Sequence, residues 1–219
     1  MTILATKLAE IDKRSRIRPI ETLRARAETL RTETRGFVDA IRAATPRAVI
    51  VELKDPMQAR AFEQAGVAAL SIVTDADFLG GSNANLSTAL DQCKLPLLRR
   101  DYIVDAYQIY EARTMGADCV SLNVALLDDV QMVDLSNLTQ DLGMDVLIEV
   151  TNMDELERAV QTDATLIGVN SDDATLIEQV PSDRIAVVYN QRAEGAMLLG
   201  DAIMRERDPV AALTRYMRD

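Results

Sequence analysis

At 219 residues, with 48% apolar and 27% charged side chains, the chain can bury one substantial core and is neither a disordered polymer nor a fibre. Its formal charge of −11 opposes binding to a nucleic-acid backbone. The absence of histidine excludes Ser-His-Asp hydrolysis, His-ligated metals and imidazole proton shuttles, leaving Asp, Glu, Lys, Tyr and Cys as acids and bases.

The opening MTILATKLAEIDKR lacks the basic start, apolar middle and small-residue cleavage site of a secretory signal. No apolar run approaches the roughly 20 residues that span a bilayer, so a cytoplasmic location without membrane contact is expected. Residues 3–13, 20–32 and 36–43 read as helices, with Leu23, Ala27 and Leu30 at helical spacing. Arginines crowd this region (Arg14, Arg16, Arg18, Arg24, Arg26, Arg31 and Arg35). Glu21, Glu28 and Glu33 interleave, and Arg24 and Glu28 form an i,i+4 pair, so a solvated helix face is expected rather than a nucleic-acid arm.

From Ala48 onward, short β-branched or apolar runs alternate with amphipathic stretches. The runs are residues 48–53, 69–73, 95–99, 119–124, 145–150, 165–170, 184–189 and 196–200. Helical stripes fall at 57–64, 105–114, 128–142 and 153–161. Eight strands in this alternation, without the G-x-G-x-x-G fingerprint, predict an α/β fold: a closed (βα)8 TIM-type barrel over residues 46–219, carrying a helical extension over 1–45.

Only Tyr189 to Gly195 separate the seventh and eighth strands, seven residues spanning at most about 25 Å, so outer helix 7 is expected to be missing. An exposed apolar edge there would invite a homo-oligomeric or heteromeric contact near strands 7 and 8. Cys93 and Cys119 share neither metal-ligand spacing nor a disulfide framework and read as buried free thiols, and the nine methionines read as core fillers.

Several stretches together resemble the indole-3-glycerol-phosphate synthase family: RGFVDAI (35–41), VIVELK (49–54), SIVTDADFLGGS (71–82), LPLLRRDYIVDAYQIYEAR (95–113), ALLDD (125–129), GMDVLIEVTNMDELERAV (143–160), LIGVNSDD (166–173) and LLGDAIM (198–204). The resemblance implies decarboxylating closure of an indole ring in tryptophan biosynthesis, a lyase activity without metal or other cofactor. It implies a site at the carboxyl ends of the strands. There Glu52 and Asn170 would position substrate, Glu149 would transfer a proton, and Lys54 would be a cationic partner or donor. Phe78 would meet the substrate ring, and Ser171 and Gly200 would also contact substrate. Each residue has a plainer reading: Glu52 and Lys54 share a strand face and can simply pair, Asn170 can cap a turn, and Gly80–Gly81 needs only permissive backbone geometry.

The pattern also departs from the family. Arg100 stands where the family has its general-acid lysine, and a guanidinium with a pKa above about 12 is a poor proton donor. The phosphate-holding lid after strand 1 is shortened, since Lys54 passes through Asp55–Pro56 directly into a helix. Asp172 replaces an arginine, and Tyr189, Asn190, Gln191 and Arg192 replace Ser-Glu-Ser-Gly, with Arg192 a partial compensation. The expectation is a barrel catalytically impaired or repurposed for binding or assembly, with a small anionic aromatic ligand. The alternatives are an active synthase in which Lys54 donates, Glu149 accepts and Arg100 anchors the carboxylate, or a different reaction on a small aromatic acid lacking phosphate.

Overall fold

The computed structural model describes residues 2–191 and 195–218. Eight parallel strands close a barrel in sequence order: β1 (Arg47–Leu53), β2 (Ala69–Val73), β3 (Leu97–Arg100), β4 (Cys119–Asn123), β5 (Asp145–Val150), β6 (Leu166–Val169), β7 (Ile185–Tyr189) and β8 (Gly195–Leu199). β8 pairs back on β1, with Val49 opposite Met197 and Val51 opposite Leu199. Alternation sorts the side chains. Ala48, Ile50, Leu98, Cys119, Leu147, Leu166, Val187 and Leu198 fill the barrel, whereas Val49, Val51, Leu70, Ile72, Val120 and Ile148 pack outward under the helices.

Three helices precede the barrel: α1 (Ile3–Ile17), α2 (Ile20–Thr29) and α3 (Phe37–Ala43). Phe37, Val38 and Ile41 of α3 join the interior cluster and plug the end where the strands begin. The Val38 N–H donates to the Asp145 carboxylate at 2.9 Å, which fixes the plug against the start of β5. The outer helices are α4 (Ala59–Gln64), α5 (Asn83–Gln92), α6 (Ala106–Met115), α7 (Asp129–Asp141), α8 (Met153–Ala159), the short α9 (Ala174–Glu178), α10 (Asp201–Met204) and α11 (Pro209–Arg218). Side-chain caps set their starts: Ser82, Asp105, Asn152 and Asp173 each accept a backbone N–H, and Asp128 and Gln131 form a reciprocal capping box.

The boundaries correct some readings. α1 runs on to Ile17, and α2 stops at Thr29 because the next residues strap the barrel base. The Arg35 guanidinium donates to the carbonyls of Cys93 (3.0 Å) and Leu95 (2.7 Å), and Thr34 to that of Gly143 (2.8 Å). Arg24 forms the expected exposed i,i+4 pair with Glu28 and Arg16 an exposed one with Asp12, but Arg14 reaches Glu111 at 3.1 Å, so the solvated-face reading fails at Arg14 and Arg35.

Between Tyr189 and Gly195 the described residues form no helix, and Arg192 lies outside the described residues. The apolar edge expected there is covered instead. Val188, Met197 and Leu199 are buried, and α11 brings Leu213 into the core and the Tyr216 hydroxyl to 3.8 Å from the Met197 sulfur. Cys93 and Cys119 are free and buried. Met132, Met144 and Met197 fill the core, whereas Met57 and Met153 are exposed. No described helix is long and apolar enough to cross a membrane.

Candidate functional site

Strand alternation brings Glu52 of β1, Arg100 of β3, Glu149 of β5 and Tyr189 of β7 to one barrel mouth. Arg100 Nε donates to Glu52 Oε2 at 3.3 Å, and its Nη1 donates to Glu149 Oε1. The guanidinium carbon lies 5.6 Å from the centroid of the Tyr189 ring, within cation–π range. Glu149 is only 2% exposed, so the arginine neutralises a carboxylate removed from water. The Tyr189 hydroxyl is buried with no hydrogen-bond partner among the described residues, and burial pushes its pKa up to about 12, so the phenol stays protonated at neutral pH.

Two glycines leave room for this arrangement. A Cβ on Gly168 would lie 3.0 Å from a Tyr189 ring carbon and 3.4 Å from Glu149 Cγ, and one on Gly200 would lie 3.3 Å from Glu52 Oε1. The Gly200 N–H donates at 2.9 Å to the side-chain oxygen of Asn190, whose backbone is left-handed at φ 51°.

The other expected residues spread around the rim. Lys54 is exposed and makes no ion pair among the described residues, because Glu52 has turned to Arg100 instead. Lys54 nevertheless shares with Glu52, Asp55, Gly200, Met204 and Arg205 an open cleft of about 280 Å³. Asn170 is exposed, and its N–H donates to the Val150 carbonyl at 3.0 Å. The following turn is capped by Asp173 rather than by Asn170. Ser171 Oγ accepts the Asp173 N–H at 3.3 Å, and the Ser171 carbonyl accepts from the Gln191 side chain at 2.8 Å. Asp172 is exposed beside them.

Phe78 is 41% exposed and meets Tyr102 edge-on, with centroids 5.9 Å apart, forming an aromatic lip. The Phe78 and Leu79 N–H groups both donate to Asp75 Oδ2 at 2.7 Å. The Gly-Gly turn is more than permissive. Gly80 has φ 73°, and a Cβ on Gly81 would lie 2.2 Å from the Val73 carbonyl oxygen. A Gly81→Ala variant is therefore expected to lose about 1–3 kcal/mol, measured by urea denaturation, as the loop moves off β2.

Behind the mouth lies a buried ionic network that sequence reasoning passed over. Arg99 points outward and is fully buried; its Nη2 lies 2.9 Å from both Asp101 and Glu111. Lys7 of α1, 1% exposed, lies 2.6 Å from Asp75 and 2.9 Å from Asp101. Burial works against the ionised Asp101, but the neighbouring Arg99 and Lys7 charges, with hydrogen bonds from Lys7 and Thr74, hold its pKa down to about 2. Burial likewise disfavours the Lys7 cation, yet Asp101, Asp75 and Glu10 outweigh it and raise its pKa. A signal existed in the sequence: adjacent Arg99 and Arg100 on one strand must face opposite sides, so one of them needed buried partners.

Fold and mouth together define an α/β barrel whose polar side chains gather where its strands end. The chain belongs to the indole-3-glycerol phosphate synthase family, whose model matches residues 1–179. The matched stretch includes Glu52, Lys54, Phe78, Arg100, Glu149, Asn170 and Ser171, and it ends before β7.

Proposed function

We propose that this barrel has lost the ring-closing reaction of its family and serves as a non-catalytic binding or assembly protein. The observation that carries this reading is the commitment of Arg100 to both Glu52 and Glu149. By resemblance, the general acid belongs at position 100. A guanidinium there cannot release a proton in turnover, and one held by two carboxylates is not free to receive the substrate's own carboxylate.

Two further features support it. The Gly200 amide, a substrate contact by resemblance, is already occupied by Asn190. Asp172 adds negative charge at the rim, where a phosphate would need positive charge. The test is indole-glycerol-phosphate formation from the carboxyphenylamino sugar-phosphate precursor, comparing the wild type with Arg100→Lys at equal concentration. No turnover by either folded protein is expected, because the phosphate contacts are altered as well as the acid. Turnover by the wild type would overturn the proposal.

The exposed Lys54 ammonium, without an ion pair among the described residues, favours a second reading, an active synthase in which Lys54 donates, Glu149 accepts and Arg100 anchors the carboxylate. In that case Lys54→Met abolishes turnover, whereas an unchanged rate eliminates the relay. The cleft of about 280 Å³ is also compatible with a small aromatic acid lacking phosphate. A thermal-shift screen of neutral and monoanionic aromatic acids tests that idea, since a ligand specific to the native state raises its stability.

A further inference from the structure

We propose that Glu52, Glu149 and the face of Tyr189 form a binding cage for a guanidinium or primary ammonium group, filled in the free protein by the chain's own Arg100. The proposal rests on the reading of the mouth as a non-catalytic site and names the kind of group that the mouth is built to hold. Two carboxylates arrive from separate strands, β1 and β5, and converge on one guanidinium, Glu52 through Nε at 3.3 Å and Glu149 through Nη1. The Tyr189 ring supplies the third wall, 5.6 Å from the guanidinium carbon. Carboxylates that accept N–H donors in the plane, with an aromatic face across it, are the features that recognise organic cations.

The backbone is shaped around these walls. Gly168 and Gly200 occupy the two positions where a Cβ would press on Tyr189 at 3.0 Å and on Glu52 at 3.3 Å. Glu149, 2% exposed, would lose its charge partner if the cage were empty and would have to stay an uncompensated charge or take up a proton, so a cation stabilises the cage. One guanidinium between two carboxylates leaves a residual negative charge. The exposed Asp55 and Asp172 at the same end of the barrel and the overall charge of −11 add to it, whereas Lys54 and Arg205 in the adjoining cleft oppose it. Arg100 is thus a tethered occupant. It keeps the cage closed to free cations and is itself withheld from anionic ligands.

The test empties the cage. The Arg100→Ala variant is titrated with methylguanidinium or ethylammonium at low millimolar concentration, with methylurea as the neutral isostere, and its thermal midpoint is followed. The midpoint is expected to rise saturably with either cation and not with methylurea. The folding equilibrium constant should gain about tenfold when the cation reaches ten times its dissociation constant. Wild type, whose cage is filled, should not respond, and an added Glu52→Gln substitution in the variant should weaken the gain.

An equal response in wild type and variant would place the cations on the general acidic surface and overturn the proposal, as would equal effects of methylurea and the cations. Should Arg100→Ala fail to fold alone, its refolding yield with methylguanidinium against methylurea gives the same discrimination. Turnover of the synthase substrate by wild type would remove the non-catalytic reading but not the cage, which is read from cation-specific stabilisation of the variant.

Discussion

An Asp101→Ala variant is expected to be less stable than the wild type by about 3–5 kcal/mol at neutral pH, as read from urea midpoints. Asp101 accepts from Arg99 and Lys7 at 2.9 Å each, and those two side chains are 0% and 1% exposed. Removing the carboxylate leaves two buried cations with one fewer anion between them, Lys7 keeping Asp75 and Glu10 and Arg99 keeping Glu111, and breaking a buried ionic network in this way is costly. The loss should depend on pH with a defined sign. The folded-state pKa of Asp101 is about 2, below the value of about 3.9 for an unfolded aspartate. Its contribution is therefore fully present above pH 4 or so, amounts to about 2–3 kcal/mol, and is lost as pH falls toward 2. Asp118 and Asp145, raised by burial, act in the opposite direction and are common to both proteins, so the difference between wild type and variant isolates Asp101. The gap should narrow between pH 4 and 2; a constant gap would assign the whole cost to lost packing.

Arg100→Leu should be comparably harmful, about 3–5 kcal/mol, because it leaves Glu149 ionised and unpaired at 2% exposure. Pairing Arg100→Leu with Glu149→Leu should recover much of the loss, since both charges then leave the barrel together. A cycle built from the two single variants and the double variant measures this coupling directly. Near-additive losses would mean that Glu149 is held by something other than Arg100. Arg100→Lys should fall between wild type and Arg100→Leu: an ammonium keeps the charge but lacks the planar fork that serves two carboxylates and stacks on Tyr189.

Much of the barrel was legible because its signals are local. The strands carry dense β-branched runs, and their observed bounds fall within two residues of the expected ones at every edge. α5 was not singled out, since its polar NANLSTALDQ stretch buries only Leu86 and Ala89. At the mouth, alternation and resemblance placed Glu52, Arg100 and Glu149 at one end of the barrel, but not in contact with one another. Their meeting depends on barrel closure, which joins residues 48 or 49 positions apart in the chain. The same limit explains why the plainer alternative, a Glu52–Lys54 pair, does not form: sharing a strand face is a local inference, whereas the competing arginine comes from β3. Tyr189 drew notice only as a departure from a motif, although its place at the end of an inward-alternating strand could have marked it as a wall of the mouth. The exposed edge expected at β7 and β8 failed for a comparable reason. A missing local helix was visible, but the covering helix α11 comes from the far end of the chain.

Pairing of β8 with β1 also has a consequence for biogenesis. Strand β1 is complete at Leu53, but its second neighbour is not finished until Leu199. While the chain is being synthesised, it must carry two unsatisfied sheet edges, one on β1 and one on the newest strand, until β8 has been made. The closing seam is therefore the last contact the sheet can make, and a chain cut before Gly195 would release a sheet that cannot seal.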